Sequence, residues 1–287
     1  MRPVTILIVT LFLLNGQATL AQTMDAPNIK DSLTVGERSH FIIGATYNST
    51  MNYYGRVDSL KSSGIYPFVG FSLKNGLYGN ATFVFIRNAL QSQYAATLLE
   101  GGYNYTGKNG HWAGNLSASR YFYQENIDLV QSAVKENLSA SLSYLNKVIN
   151  INLGADIKFS NKADPGIQAG LDHIIRIPHV FGDDVLVLDP SAWLYAGTQN
   201  FSRTWYEKKN LLLLPIGEEQ VTENSRKFNV LAYEISMPLV YAYKKFNLIL
   251  SPAYILPQHI LSVPGQPALS ENAAELFYFT ATLKFTL

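Results

Sequence analysis

The feature that most restricts this chain is side-chain alternation with a period of two, carried through nearly its whole length. Phe277, Phe279, Ala281, Leu283, Phe285 and Leu287 alternate with Tyr278, Thr280, Thr282, Lys284 and Thr286. Ile149, Ile151, Leu153, Ala155, Ile157 and Phe159 do so with Asn150, Asn152, Gly154, Asp156 and Lys158. Every second side chain of a strand shares a face, so each segment has one apolar and one polar side. No window after residue 22 has the length and apolarity of a transmembrane helix.

About twelve such segments can be drawn, at 39–54, 64–74, 78–88, 92–106, 111–124, 132–144, 148–160, 166–178, 185–200, 227–243, 246–257 and 276–287. Tight turns are expected at Asn75-Gly76, at Gly107–Gly110, near Asn146 and at Lys244-Lys245, against long connections at about 201–226 and 258–275. Short turns at one end and long loops at the other are the plan of an up-and-down transmembrane barrel, whose short-turn side is periplasmic. An even strand count then places both termini in the periplasm. Aromatic residues flank the turns, and Trp112 and Phe122 sit near the two ends of one segment. Ten residues of strand tilted by about 40° rise roughly 25 Å, the height of an apolar membrane band.

A soluble sandwich or lipocalin-like barrel would alternate equally well, with its apolar face inward. Its polar face should then be rich in Lys and Glu. Here that face is mostly Asn, Ser, Thr, Gly and Tyr, and only 15% of the chain is charged while 13% is aromatic. A soluble domain averages nearer 25% charged. The chain has no cysteine, so disulfides cannot stabilise it.

The N-terminus reads as an export signal. Met1-Arg2 precedes an apolar run from Val4 to Leu14, and Thr19-Leu20-Ala21 puts small residues at the −3 and −1 positions of a cut before Gln22. The expected division is a cleaved signal peptide at 1–21, a short periplasmic segment at 22–38 and an outer-membrane β-barrel at 39–287. Residues 22–38 are too short for a plug domain. Removing Arg2 leaves 21 basic against 21 acidic residues, which gives no electrostatic support for nucleic-acid binding.

With its signal peptide, its alternating strands and a C-terminal strand ending on an apolar residue, the chain resembles the bacterial outer-membrane β-barrel superfamily. That resemblance implies an all-β transmembrane antiparallel barrel set in outer-membrane lipid. It also implies that the Leu276–Leu287 strand is read by the barrel-assembly machinery, with Leu287 standing where Phe is commoner. It names no subfamily and fixes no function.

If the apolar faces meet lipid, Glu100, Lys135, Asp156, Lys158, Asp172, Arg176, Asp189 and Glu234 line the lumen. A turn centred near Val180-Phe181 would set Asp172 opposite Asp189, and Lys135 would face Asp156 or Lys158. Such charges either form a constriction or merely pair across strands. His173 falls on the lipid face, where an ionised ring is costly. The five histidines lie outside any HExxH or Gly-x-Ser-x-Gly context, so neither a metal centre nor a hydrolase triad is indicated, and no cofactor is expected. Pro67, Pro190, Pro238 and Pro252 interrupt segments and are expected at bulges or strand ends. The leading expectation is a narrow channel or uptake pore for small solutes. An accessory barrel acting through its extracellular loops is the alternative, and a barrel-type lipid-modifying hydrolase comes third. Oligomeric state leaves no trace in the sequence.

Overall fold

The computed structural model describes residues 39–58, 60–125, 130–202, 225–260 and 273–287. The expected signal peptide, the segment 22–38 and most of the 201–226 connection lie outside the described residues.

Seven strands each cross the barrel in one piece: β1 (His40–Asn48), β4 (Ser63–Ser72), β5 (Leu77–Arg87), β6 (Ser92–Thr106), β7 (Trp112–Tyr123), β8 (Glu136–Tyr144) and β9 (Asn150–Phe159). Three further crossings are each made of two strands: β10 (Ala163–Asp172) with β11 (Ile175–Pro178), β12 (Asp184–Leu188) with β13 (Ser191–Gly197), and β14 (Asn229–Ser236) with β15 (Leu239–Tyr243). The last two crossings are β16 (Phe246–Pro257) and β17 (Leu276–Thr286). Neighbours pair antiparallel all the way round, and β17 pairs with both β16 and β1, so the sheet closes as a barrel of twelve crossings. Closure leaves no free sheet edge. The main-chain N–H of Leu287 bonds Phe41 O at 2.9 Å, so the barrel begins and finishes at the same end.

The turns at that end follow their sequences. Gly76 and Gly110 have φ of 96° and 72°, a region open to glycine. Asn146 closes its turn by accepting from the N–H groups of Val148 and Ile149 at 2.8 and 2.9 Å.

The split crossings have one cause. His173 N donates to Pro190 O, Asp189 N to Pro238 O, and Met237 N to Pro252 O, at 3.1, 2.9 and 3.1 Å. A hydrogen-bonded antiparallel pair exchanges two such bonds, and a proline cannot return the second. Pairing keeps the same register on both sides of each gap: Asp172 faces Ser191 above it and Ile175 faces Leu188 below. Pro190 and Pro238 thus fall at strand ends, one of the two expected places, while the expectation is corrected for Pro67 and Pro252, which lie inside strands of an unshifted ladder. Pro67 lies within β4, whose ladder to β5 skips Tyr66 and Pro67, and Pro252 lies within β16. The register irregularities fall elsewhere, at Val84/Phe85 and Tyr195/Ala196.

The first crossing is shorter than expected. It stops at Asn48, and residues 49–58 turn inward, carrying a two-stranded hairpin of β2 (Asn52–Tyr53) and β3 (Arg56–Val57).

Candidate functional site: the barrel interior

At the long-loop end the inward hairpin packs on side chains pointing in from the wall. Tyr53 meets Phe201 edge-on with ring centres 4.9 Å apart, and Tyr54 lies 5.4 Å from Tyr195. Trp193, Leu231, Ile255 and Tyr278 complete this buried cluster. The hairpin turn is tight: a Cβ on Gly55 would come within 3.0 Å of the Pro257 ring, and its φ is 77°. Arg56 follows, 1% exposed, and donates to Tyr54 O, Gln199 Oε1 and Gln258 O at 3.1, 2.6 and 3.2 Å. One guanidinium thus ties together the connections after β1, β13 and β16. Asp164 anchors the same region by accepting from Thr198 Oγ1, Asn200 N and Phe201 N, at 2.6, 2.6 and 2.8 Å.

Beneath the hairpin, Lys158 holds an ion pair with Asp156 and stands 5.5 Å from the Tyr54 ring centre. The inner face of β6–β10 carries small polar side chains. Ser117 and Ser139 bond at 2.8 Å, and Asn115 donates to Asn104 at 2.9 Å. Asn104, Ser119, Asn137, Ser139, Ser141 and Gln168 are only half-buried, so this side of the interior is loosely filled. The opposite wall is filled by larger groups. Trp193 illustrates the fit, lying across Gly170, where a Cβ would meet its ring at 2.5 Å.

Halfway along, at the level of the proline gaps, lies a second polar cluster. Asn150 and Asn152 both donate to the Asp172 carboxylate, the first at 2.6 Å. Ser143 in turn donates to Asn152 Oδ1 at 2.5 Å. Ser191 and Ser236 bond each other at 2.8 Å, and Asp189 is 1% exposed. Two residues before Ser236 on β14, Glu234 accepts from Tyr278 OH at 2.9 Å.

The exterior is the inverse of a soluble surface. On β9, Ile151, Leu153 and Ile157 are exposed, while Asn152 and Lys158 are buried between them. On β17, Phe277 is 62% exposed and its neighbour Tyr278 only 3%. The same apolar-out, polar-in order runs round the wall, which is favourable only if the outer solvent is hydrocarbon. The chain is a closed, antiparallel β-barrel built to span a membrane.

No family model matches this barrel, and no curated protein matches it in sequence. Among solved structures it is similar to the KdgM porin (7% identity, TM-score 0.48, covering 86% of this chain and 99% of that one). It is also similar to the NanC porin (12%, 0.46, 86% and 100%) and to the COG4313 outer membrane channel from Pseudomonas putida F1 (10%, 0.47, 92% and 100%). These likenesses are distant, and the assignment rests on the closed register and the apolar exterior.

The lumen-lining candidates fall at three levels. Asp156 and Lys158 are together under the hairpin, Glu100 is half-buried on β6, and Asp172, Asp189 and Glu234 are deeply buried. Arg176 is half-buried on β11, below the proline gaps. Two registers need correction. Asp172 faces Ser191, not Asp189, because the turn at 179–183 is centred one residue later than Val180-Phe181 suggests. The two acids are therefore diagonal neighbours, close enough for each to act on the other's charge. Lys135 lies beyond the start of β8 and is exposed, while Asn137 faces Lys158 and Ser139 faces Asp156. His173 is outward, at the rim of a lipid-side groove of about 640 Å³ shared with Leu171, Pro190, Ala192 and Met237. The groove follows the proline gaps at Pro190 and Pro252, and its lining is mostly apolar. Among the described residues no group of three potential metal ligands occurs.

Sequence reading passed over Arg56, the Tyr53-Tyr54 pair, Asp164 and Lys284. The signal for the hairpin was Asn52–Gly55, whose Asn52 Oδ1 accepts from Gly55 N at 3.2 Å as an Asx-type turn does. Lys284 sits at an inward position of the last strand and is 3% exposed, as its alternation implied.

Proposed function

We propose that this barrel is a narrow channel for small polar solutes in a bacterial outer membrane, with its short turns and both termini in the periplasm. The observation that carries the reading is the half-buried strip of Asn104, Ser119, Asn137, Ser139, Ser141 and Gln168 along one inner wall. Short polar side chains there keep water inside, and bulky ones fill the opposite wall, so the passage is eccentric and thin. The inward hairpin narrows its outer mouth. Asp156 and Lys158 stand beside that mouth as a neutralised pair, which leaves the entrance without a strong field of either sign. Export would use 1–21 as the signal peptide.

Reconstitution of the purified barrel in planar bilayers tests the reading. Small, discrete single-channel steps in potassium chloride are expected, together with permeation of small neutral solutes in liposome swelling. Protein that inserts, yet produces neither steps nor swelling, would refute it.

A further inference from the structure

Asp189 is 1% exposed, and neither of its carboxylate oxygens meets a donor. The charged group acting on it is Asp172, itself an acid. Asp172 is differently placed: Asn150 and Asn152 hold its carboxylate from one side, and Ser143 holds Asn152. That clamp uses amide donors and brings no positive charge. The ion pairs Arg120–Glu136 and Lys158–Asp156 lie away from this cluster. Two neighbouring buried carboxylates without a counter-charge repel each other and forgo hydration. A cation bound between them would remove both penalties.

The surroundings suit a hard ion. The available ligand atoms are oxygens: both from Asp189, the remaining lone pairs of Asp172, and the hydroxyls of Ser191 and Ser236 directly alongside. Two negative charges with neutral oxygens and water match a divalent ion that takes six to eight oxygen ligands at flexible geometry. The pair also lies at the Asp189-Pro190 gap between β12 and β13, where single hydrogen bonds (Asp189 N to Pro238 O, His173 N to Pro190 O) replace the usual exchanged pairs.

We propose that Asp172 and Asp189 form a binding site for a hard divalent cation of the Ca2+ type on the inner wall of the barrel. The proposal rests on the channel reading for the route by which the ion arrives. Trp193 reports on the site, because its indole lies over Gly170, the inward residue next along β10 from Asp172.

The test uses the whole barrel, refolded in detergent, with Tb3+ as the probe and tryptophan-sensitised emission as the signal. Wild-type protein should give saturable emission that excess Ca2+ displaces. Asp189→Asn and Asp172→Asn should each weaken apparent Tb3+ binding by tenfold or more, and Trp193→Phe should abolish the signal. Ca2+ should raise the thermal midpoint of wild-type barrel and leave that of Asp189→Asn unchanged; this second readout also serves if a variant folds poorly. In EDTA, Asp189→Asn should melt above wild type, because the repulsion is gone. Equal Tb3+ binding by wild type and both variants would overturn the site. So would a wild type with neither saturable emission nor a Ca2+-dependent midpoint, the behaviour of a pair that simply shares a proton. Planar-bilayer conductance of wild-type protein separates the two readings. Conductance without Tb3+ binding refutes the cation site alone, and Ca2+-displaceable binding in a barrel that does not conduct refutes the channel and supports the site.

Discussion

Arg56 shows how much one residue can organise in a barrel of this kind. Its guanidinium meets three acceptors drawn from three connections, those of Tyr54 and Gln199 fully buried with it. Hydrogen bonds from a charged donor are worth about 1.5–3 kcal/mol each, and truncation also strands the acceptors. Arg56→Ala should therefore lower the local stability of the hairpin and of 198–202 by about 2–4 kcal/mol. Hydrogen exchange is the measure: amide protection in 49–58 should fall about 30-fold or more, while β6–β9 stay as protected as in wild type. If the hairpin narrows the passage, the same variant should show larger or longer openings in single-channel records. An unchanged exchange pattern would mean that the aromatic packing alone holds the hairpin. None of this was visible in the composition, because Arg56 looks like an ordinary loop cation until the chain returns from residues 199 and 258.

For a single strand, the two faces obey opposite rules. Leu153 on β9 is 57% exposed, and its neighbour Asn152 is buried. An arginine in mid-membrane on the lipid side of a barrel costs about 2–4 kcal/mol. Leu153→Arg should lose that much in folding titrations into phospholipid vesicles, whereas Ser141→Ala, one step round on the inner face of β8, should change stability by no more than about 0.5 kcal/mol. Equal losses would contradict the assignment of faces. A second element-level expectation concerns the closing seam. Gly44 on β1 pairs with Lys284, and a Cβ there would lie 2.5 Å from both Leu283 O and the Phe68 ring. Gly44→Ala should destabilise the barrel by about 1–3 kcal/mol through overpacking, read as a lower midpoint for loss of the compact band in heated gels. Strand limits were legible in the sequence because alternation ends where turn residues begin: 92–106 and 246–257 are the bounds of β6 and β16. The first strand was drawn too long because Met51, Tyr53 and Tyr54 are apolar enough to continue it. The register of Asp172 was missed because 179–183 holds no diagnostic turn pair.

At the scale of the whole molecule, the barrel closes one sheet on itself and takes the hairpin of 49–58 into one mouth. The export reading belongs to this scale as well. Protein purified from an outer-membrane fraction should begin at Gln22, checked by N-terminal sequencing or intact mass, and a chain that retains Met1-Arg2 would contradict it. What the sequence determined by itself is local: which residues form strands, where the tight turns fall, and which face of each strand is apolar. These are properties of neighbours one to four residues apart, and twelve such strands with wet inner faces can bury their backbone polar groups in a membrane only by closing. What the tertiary structure alone decided is long-range. It set which acid meets which, folded 49–58 into the mouth, joined Arg56 to Gln199 and Gln258, and placed Asp189 beside Asp172. A one-residue change in a turn moves every facing pair by two, and a loop turns inward only if a cavity with matching groups awaits it. Periodicity carries no information on either point.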